Sequence, residues 1–356
     1  MKYIQVATIA IASSFLFSCS NDDAETTNNP LGAYDNGILI LNEGNFGVDN
    51  GTISFLSNDF TTFQADAYKT VNNEAVGNTA QSIGFYGNLA FIVVNGSNKI
   101  EVINRYTLQK VATITNGLSN PRYIAFSNGK GFVTNWGDAT LPTDDYVAVI
   151  DLSNYNVTAT ISVAEGPEKI QEQNGNLFVL HKGGYNYGNT ISVIATSTNL
   201  VTNAITVGDI PSGIEEANGY LYVLCSGKPS WTGDETLAKL VKINPTDFSV
   251  TELTSFAPTQ HPTNLAVEDN VVYYTLNNKV YKMNSTTATS NVLIDLAANQ
   301  GFSYDYAYGF AVQNNTIFVA DAKDFSANGK VYIYSLTGVL ENEFEVKTSP
   351  NGFYFN

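Results

Sequence analysis

The sequence predicts an all-β protein, a seven-bladed β-propeller, and three observations carry that expectation. One phrase recurs along the chain and is most legible from Pro211 to Cys225 (PSGIEEANGYLYVLC). It has a Pro-x-x-Ile start, a short alternating strand, an Asn-Gly turn, and a strand of β-branched and aromatic residues. Asn-Gly between two alternating apolar runs is a strong hairpin signal, because both turn positions need φ > 0. The second observation is spacing. The anchors Ile83, Ile124, Ile170, Ile214, Leu265, Phe310 and Phe353 lie 41, 46, 44, 51, 45 and 43 residues apart. A period in the forties filled with short strands is that of a propeller. Third, no helical periodicity of useful length follows residue 17.

The blades can be taken in order. The first repeat, Gly37–Ala65, holds only three strands, and the last stops with the chain after Pro350–Phe353. Gly352–Phe355 is therefore expected to supply the inner strand of the first blade and close the ring between the termini. Between them stand five more hairpins, such as Pro121–Ile124 before Gly131–Asn135 and Pro167–Ile170 before Leu177–His181. Third strands follow at Tyr146–Asp151, Thr190–Ile194 and Lys330–Tyr334, and fourth strands at Val157–Val163 and Val201–Val207. Alternation lets each blade bury one face against the next, so the core is expected to run round the ring.

The N-terminus has a different character. Residues 1–18 read as a signal peptide: Lys2 precedes an apolar run, Ile4 to Phe17, too short to span a bilayer. The run ends in Leu16-Phe17-Ser18-Cys19, which resembles a bacterial lipobox with Cys19 as the lipidated residue. Residues 19–36 form a polar, acidic tether, and 37–356 the propeller. With Cys19 lipidated only Cys225 remains, so no intramolecular disulfide is expected. A net charge of −16 argues against DNA and against an anionic membrane patch as partners.

In a propeller, the loops from second to third strand and from blade to blade share one face. The first-to-second turns lie on the other. Here the latter are tight pairs, such as Asn128-Gly129, Asn174-Gly175 and Asn218-Gly219. The former are long: Asn42–Asn50, Asn135–Asp145, Lys182–Asn189, Ser226–Thr236 and Ala322–Gly329, with Ala297–Tyr306 between blades. They carry Phe46, Trp136, Tyr185, Tyr187, Trp231, Phe302, Tyr304, Tyr306 and Phe325. Large amphipathic rings suit a flat ligand or a partner's loop, although any one of them can instead fold back over a blade edge. Arg122, Glu168, Lys169, Asn264, Tyr308 and Asn351 sit one or two residues before a blade anchor, hence near the central channel. Arg122 is one of two arginines, open either to a ligand or to a salt bridge with Glu168 or Glu74.

Catalytic chemistry is poorly represented. His181 and His261 fall on the loop face without a His-x-His or Glu-x-x-His spacing. Cys225 ends an apolar strand and reads as a core residue. The acidic clusters Asp138…Asp144-Asp145 and Asp321…Asp324 do not follow the EF-hand pattern. No nucleophile elbow, P-loop or dinucleotide fingerprint occurs.

Leu41–Gly47 (LNEGNFG) leading into Gly51–Phe55, then Asn120–Ile124 (NPRYI) and Val133–Gly137 (VTNWG), resemble the YncE-like "surface layer" propeller lipoproteins of Bacteroidetes. The chain is similar among these to the cobalamin-capturing BtuG lipoproteins. That resemblance implies an outer-membrane lipoprotein exposed on the cell surface. It would bind a small nutrient, a corrinoid first, and deliver it to a TonB-dependent transporter, with no cofactor and no chemistry of its own. The alternatives are a propeller enzyme of lyase or lactonase type acting on extracellular polymers, and an adhesion or scaffold module. The expected ligand-binding residues are Phe46, Arg122, Trp136, Tyr185, Tyr187, Trp231, Tyr306 and Tyr308, with Arg122 receiving the ligand's phosphate.

Overall fold

The computed structural model describes residues 30–300 and 307–356, without the side chains of 299 and 300. The expected signal peptide and Cys19 lie outside the described residues. Seven antiparallel sheets follow one another along the chain. Blades two to seven each take four consecutive strands in order from the channel outward, beginning at Ala80, Pro121, Pro167, Pro211, Leu265 and Gly309. The first sheet is closed as the sequence predicts. Pro350–Phe355 pairs antiparallel with Gly37–Asn42, in register from Ile38 opposite Phe355 to Leu41 opposite Gly352.

Turn chemistry sets the hairpins. Asn128 and Gly129 have φ of 51° and 73°, Asn174 and Gly175 54° and 78°, and Asn218 and Gly219 53° and 77°. Left-handed conformation at both positions is what a two-residue hairpin with the native strand twist needs. In the sixth blade Asp269 and Asn270 take the same conformation, at 49° and 64°.

The core is divided among the blade interfaces. Phe132, Val147 and Val149 of the third blade pack with Leu177, Val179 and Ile194 of the fourth, all essentially inaccessible. Between the seventh and first blades, Phe318, Val331 and Ile333 pack with Ile38, Ile40 and Phe353. Each blade thus depends on both neighbours.

Polar side chains near the loop face add a second link between blades. Asn95 Nδ2 donates to Pro121 O at 3.2 Å and Ser82 Oγ to Arg122 O at 2.7 Å. Thr134 Oγ1 donates to Glu168 O at 2.8 Å, Ser226 Oγ to Pro262 O at 2.7 Å, and Asn264 Nδ2 to Ala307 O at 2.8 Å. In each case the acceptor is backbone at the start of the next blade, which fixes where that blade's inner strand enters the channel.

The first blade departs from the pattern. Its outer strand, Phe63–Gln64, has two residues, and Ala67–Asn72 then forms a short helix whose N-cap Asp66 accepts from Lys69 N at 3.2 Å. Phe63 instead stacks on Phe344 of the seventh blade, with ring centroids 5.5 Å apart. The outer layer there is completed by side chains rather than by a longer strand.

Candidate functional site

The inner strands enclose a central channel holding a cavity of about 540 Å³, with Gln171, Glu215, Gln313 and Tyr354 in its wall. A second cavity of about 430 Å³ lies at the mouth on the loop face. The mouth is shaped by a recurring irregularity. The inner hairpins shift register between Ala80 and Ser82, between Val133 and Asn135, between Pro167 and Ile170, and between Pro211 and Gly213. A bulge re-aims the side chains it contains. Gln81, Arg122, Glu168, Lys169 and Ser212 sit in or opposite these shifts, and all of them line the mouth cavity.

Arg122 meets Glu168 rather than open space. Nε is 3.0 Å from Oε2 and Nη2 2.7 Å from Oε1, a bidentate pair joining the third and fourth blades. Burial alone would raise the Glu168 carboxyl, but the charge and hydrogen bonds of Arg122 outweigh it and hold it below the usual value. The guanidinium lies 4.3 Å over the Trp136 ring, whose Nε1 donates to Pro167 O at 3.0 Å. The fork expected to receive a ligand phosphate is therefore committed within the protein.

Across the mouth, the Tyr308 hydroxyl donates to Glu43. Burial pushes the Glu43 carboxyl above its ordinary value, against the hydrogen bond from Tyr308 and the charge of Arg122. Asn351 Nδ2 donates to Ala80 O and Gln81 O at 3.1 and 3.2 Å, leaving its Oδ1 buried without a partner.

The predicted aromatics divide into two groups. Trp136 and Tyr308 are half-buried and bonded as described. Phe46, Tyr185 and Trp231 are 76%, 75% and 78% exposed, and Tyr187 is exposed as well. They stand on the loops between second and third strands of the first, fourth and fifth blades. Tyr185 meets Trp136 edge-on at 6.5 Å, so a continuous path of side chains runs from Glu168 through Arg122 and Trp136 to the open rim. Tyr306, with Phe302 and Tyr304, lies outside the described residues. The set missed Lys182 and Glu43. Lys182 had only the end of an inner hairpin to mark it. Glu43 stood in view inside the LNEGNFG run, without a sign of its partner.

Several other titratable groups serve the fold. Asp138 Oδ1 accepts from Thr140 N and Oγ1, Asp145 Oδ1 from Gly166 N, and Asp324 Oδ1 from Ser326 N and Ala327 N. Among the described residues no group of three His, Cys, Asp or Glu side chains converges to hold a metal ion. Burial pushes the Cys225 thiol up to about 12. His261 Nδ1 lies 2.8 Å from Ser226 O and Nε2 3.3 Å from Glu235.

His181 is buried with Nε2 2.8 Å from Ser192 Oγ, and burial lowers its pKa from 6.5 to about 4. Well above pH 6.5 the ring is neutral in both folded and unfolded chains and contributes no pH dependence. Between pH 6.5 and 4 the unfolded chain takes up a proton that the folded one refuses, so stability falls, by about 3 kcal/mol at the lower end. In His181→Gln this part of the loss is expected to vanish. Urea denaturation of both proteins at pH 7.5 and 4.5 checks it, and equal acid losses would exclude the assignment.

Fold and site together define a closed seven-bladed propeller with a polar channel mouth beneath an aromatic loop face. The chain belongs to the family described as Domain of unknown function (DUF5074), whose profile matches residues 36–355. No curated protein matches it. Among solved structures it is similar to a quinoprotein alcohol dehydrogenase-like protein from Bacteroides thetaiotaomicron, at 16% identity and a TM-score of 0.66 over 90% of this chain and 78% of that one. The periplasmic gluconolactonase of Pseudomonas aeruginosa is 11% identical with a TM-score of 0.64, over 90% and 98%. A hypothetical selenium-binding protein from Sulfolobus tokodaii is 8% identical with a TM-score of 0.68, over 90% and 93%. At these identities the likeness is one of fold.

Proposed function

We propose that this propeller is a binding protein without catalytic chemistry, lipid-anchored through Cys19 at the outer membrane and facing outward. Its loop face captures a small, flat nutrient, a corrinoid first, and hands it to a TonB-dependent transporter. The observation that carries this reading is the exposure of Phe46, Tyr185, Tyr187 and Trp231 on the face that holds the polar mouth cavity. Large rings held in water on one face are an unfavourable arrangement for a bare surface and a favourable one for a ligand-binding or partner-binding surface. On this reading a corrin ring lies across the rim on these side chains. YncE-like and BtuG propellers provide the resemblance that names the ligand class.

Calorimetry of the full chain with cyanocobalamin tests the reading. Trp231→Ala should cost on the order of 2 kcal/mol, about 30-fold in affinity, with little effect on stability because the side chain is exposed. The Trp136→Ala/Trp231→Ala protein should lose more. Intact affinity in that double variant removes the site, and no heat with the wild type removes the corrinoid. Cys19→Ala should free the protein from the membrane fraction; normal processing and attachment would overturn the anchor.

A further inference from the structure

We propose that the channel mouth is an anion subsite in which Lys169 and Lys182 receive a phosphate or carboxylate group of the ligand, with the Arg122–Glu168 pair as its fixed wall. The inference rests on the loop face being a ligand site, but not on the ligand being a corrinoid.

The first ground is charge. In a chain of net charge −16, the mouth cavity is lined by three cationic side chains, Arg122, Lys169 and Lys182, and a single carboxylate, Glu168. Arg122 and Glu168 cancel one another through their bidentate contact. Among the described residues neither Lys169 nor Lys182 has a carboxylate within salt-bridge distance. Lys169 acts at a distance on Glu168 and Glu215, and Lys182 on Glu168, without direct pairing, so an anion entering the cavity meets a favourable charge from each.

The second ground is placement. Lys169 sits in the register shift of the fourth blade's inner hairpin, whose other strand ends at His181, next to Lys182. The backbone of Lys182 is held on both sides, its N–H donating to Gly166 O and its carbonyl accepting from Gly188 N, each at 2.9 Å. Both ammonium groups therefore spring from fixed backbone at the foot of the loop that carries Tyr185 and Tyr187. A ligand lying on those rings would place an acidic substituent directly over the mouth.

The carboxyls beyond the cavity wall are compatible with this. Glu43, on the first blade, is bonded by Tyr308, and Glu215, below in the channel, has Lys169 as its opposing charge. Burial raises both carboxyls above the ordinary value. Ser212 and Thr263 bring hydroxyls to the same cavity. Ammonium groups act as point charges, so the subsite selects for an anionic oxygen group rather than for a planar one.

The test uses the full chain with its lysines carrying ¹³C-methyl groups, which keeps their charge, titrated with inorganic phosphate and, separately, with acetate. Saturable shifts are expected for two lysine resonances, assigned with Lys169→Gln and Lys182→Gln. The double variant should lose at least tenfold in affinity for the stronger anion. Lys330→Gln, whose ammonium pairs with Glu343 at 2.7 Å away from the mouth, should keep it. Stronger binding of phosphate or of acetate identifies the source group. No saturable shift at either lysine, or an unchanged affinity in a folded double variant, overturns the subsite. Anion binding without cobalamin binding would leave the subsite standing while the corrinoid reading falls, and the reverse result would separate them the other way.

Discussion

Deletion of Pro350–Asn356 is expected to abolish cooperative folding of the whole ring, not merely to shorten it. The segment supplies the inner strand of the first blade and pairs with the full length of Ile38–Asn42. Phe353 and Phe355 pack on Phe318 of the seventh blade, at centroid distances of 5.5 and 5.3 Å. The terminus is also tied to the second blade. Arg105 Nε donates to Asn356 Oδ1 at 2.7 Å and Nη2 to Phe355 O at 2.8 Å, while its guanidinium lies 3.5 Å over Phe85. Removal leaves Gly37–Asn42 as an unpaired edge, uncovers apolar surface on both neighbouring blades and orphans a half-buried Arg105. The combined loss is on the order of the entire stability of a domain, about 5–15 kcal/mol. Scanning calorimetry should show aggregation or no transition. A truncated protein melting within roughly 2 °C of the full chain would mean that closure contributes little.

Breaking the Arg122–Glu168 pair should produce the second large effect. The side chains are 16% and 8% exposed, so removing one partner leaves a charge with little access to water. Glu168→Leu and Arg122→Met are each expected to cost about 3–5 kcal/mol, and the double variant to recover most of that. Arg122→Met also strips the cation from the face of Trp136, whose ring still donates to Pro167 O. The pair has a definite pH signature. The Glu168 carboxyl is depressed in the folded protein, so its contribution is complete above the ordinary Glu range near about 4.3 and disappears as pH falls through the folded value. Guanidinium denaturation at pH 7 decides the matter. Single variants within about 0.5 kcal/mol of wild type would show that water reaches the pair freely.

These two predictions differ in how far the sequence could supply them. The seven repeats, the face that carries long loops and the closure of the first blade were all legible. Each depends on local signals: the period of two in the strands, Asn-Gly chemistry at the turns, and a last repeat that stops after one strand. The aromatic rim was legible in part, since long loops on one face carry the rings, though Trp136 folds back onto Arg122. Phe46, Tyr185 and Trp231 are exposed.

The mouth was not legible to the same degree. Arg122 and Glu168 are 46 residues apart, and the choice between partner and ligand was left open until the blades were set side by side. The register shifts at Gln81, Lys169 and Ser212 decide which side chains turn toward the cavity, and a bulge costs the strand pattern only one residue, too little to read against ordinary variation. Lys182 and Glu43 come to the mouth from loops whose sequences say nothing of direction. The short helix Ala67–Asn72 has the Asp66 cap as its local cue, and it follows an outer strand of the first blade that ends at Gln64. Strand pattern and turn type are written in neighbours along the chain and so were determined by the sequence alone. Charge pairing and the aim of side chains into the channel depend on neighbours across blades, which only the closed ring brings together.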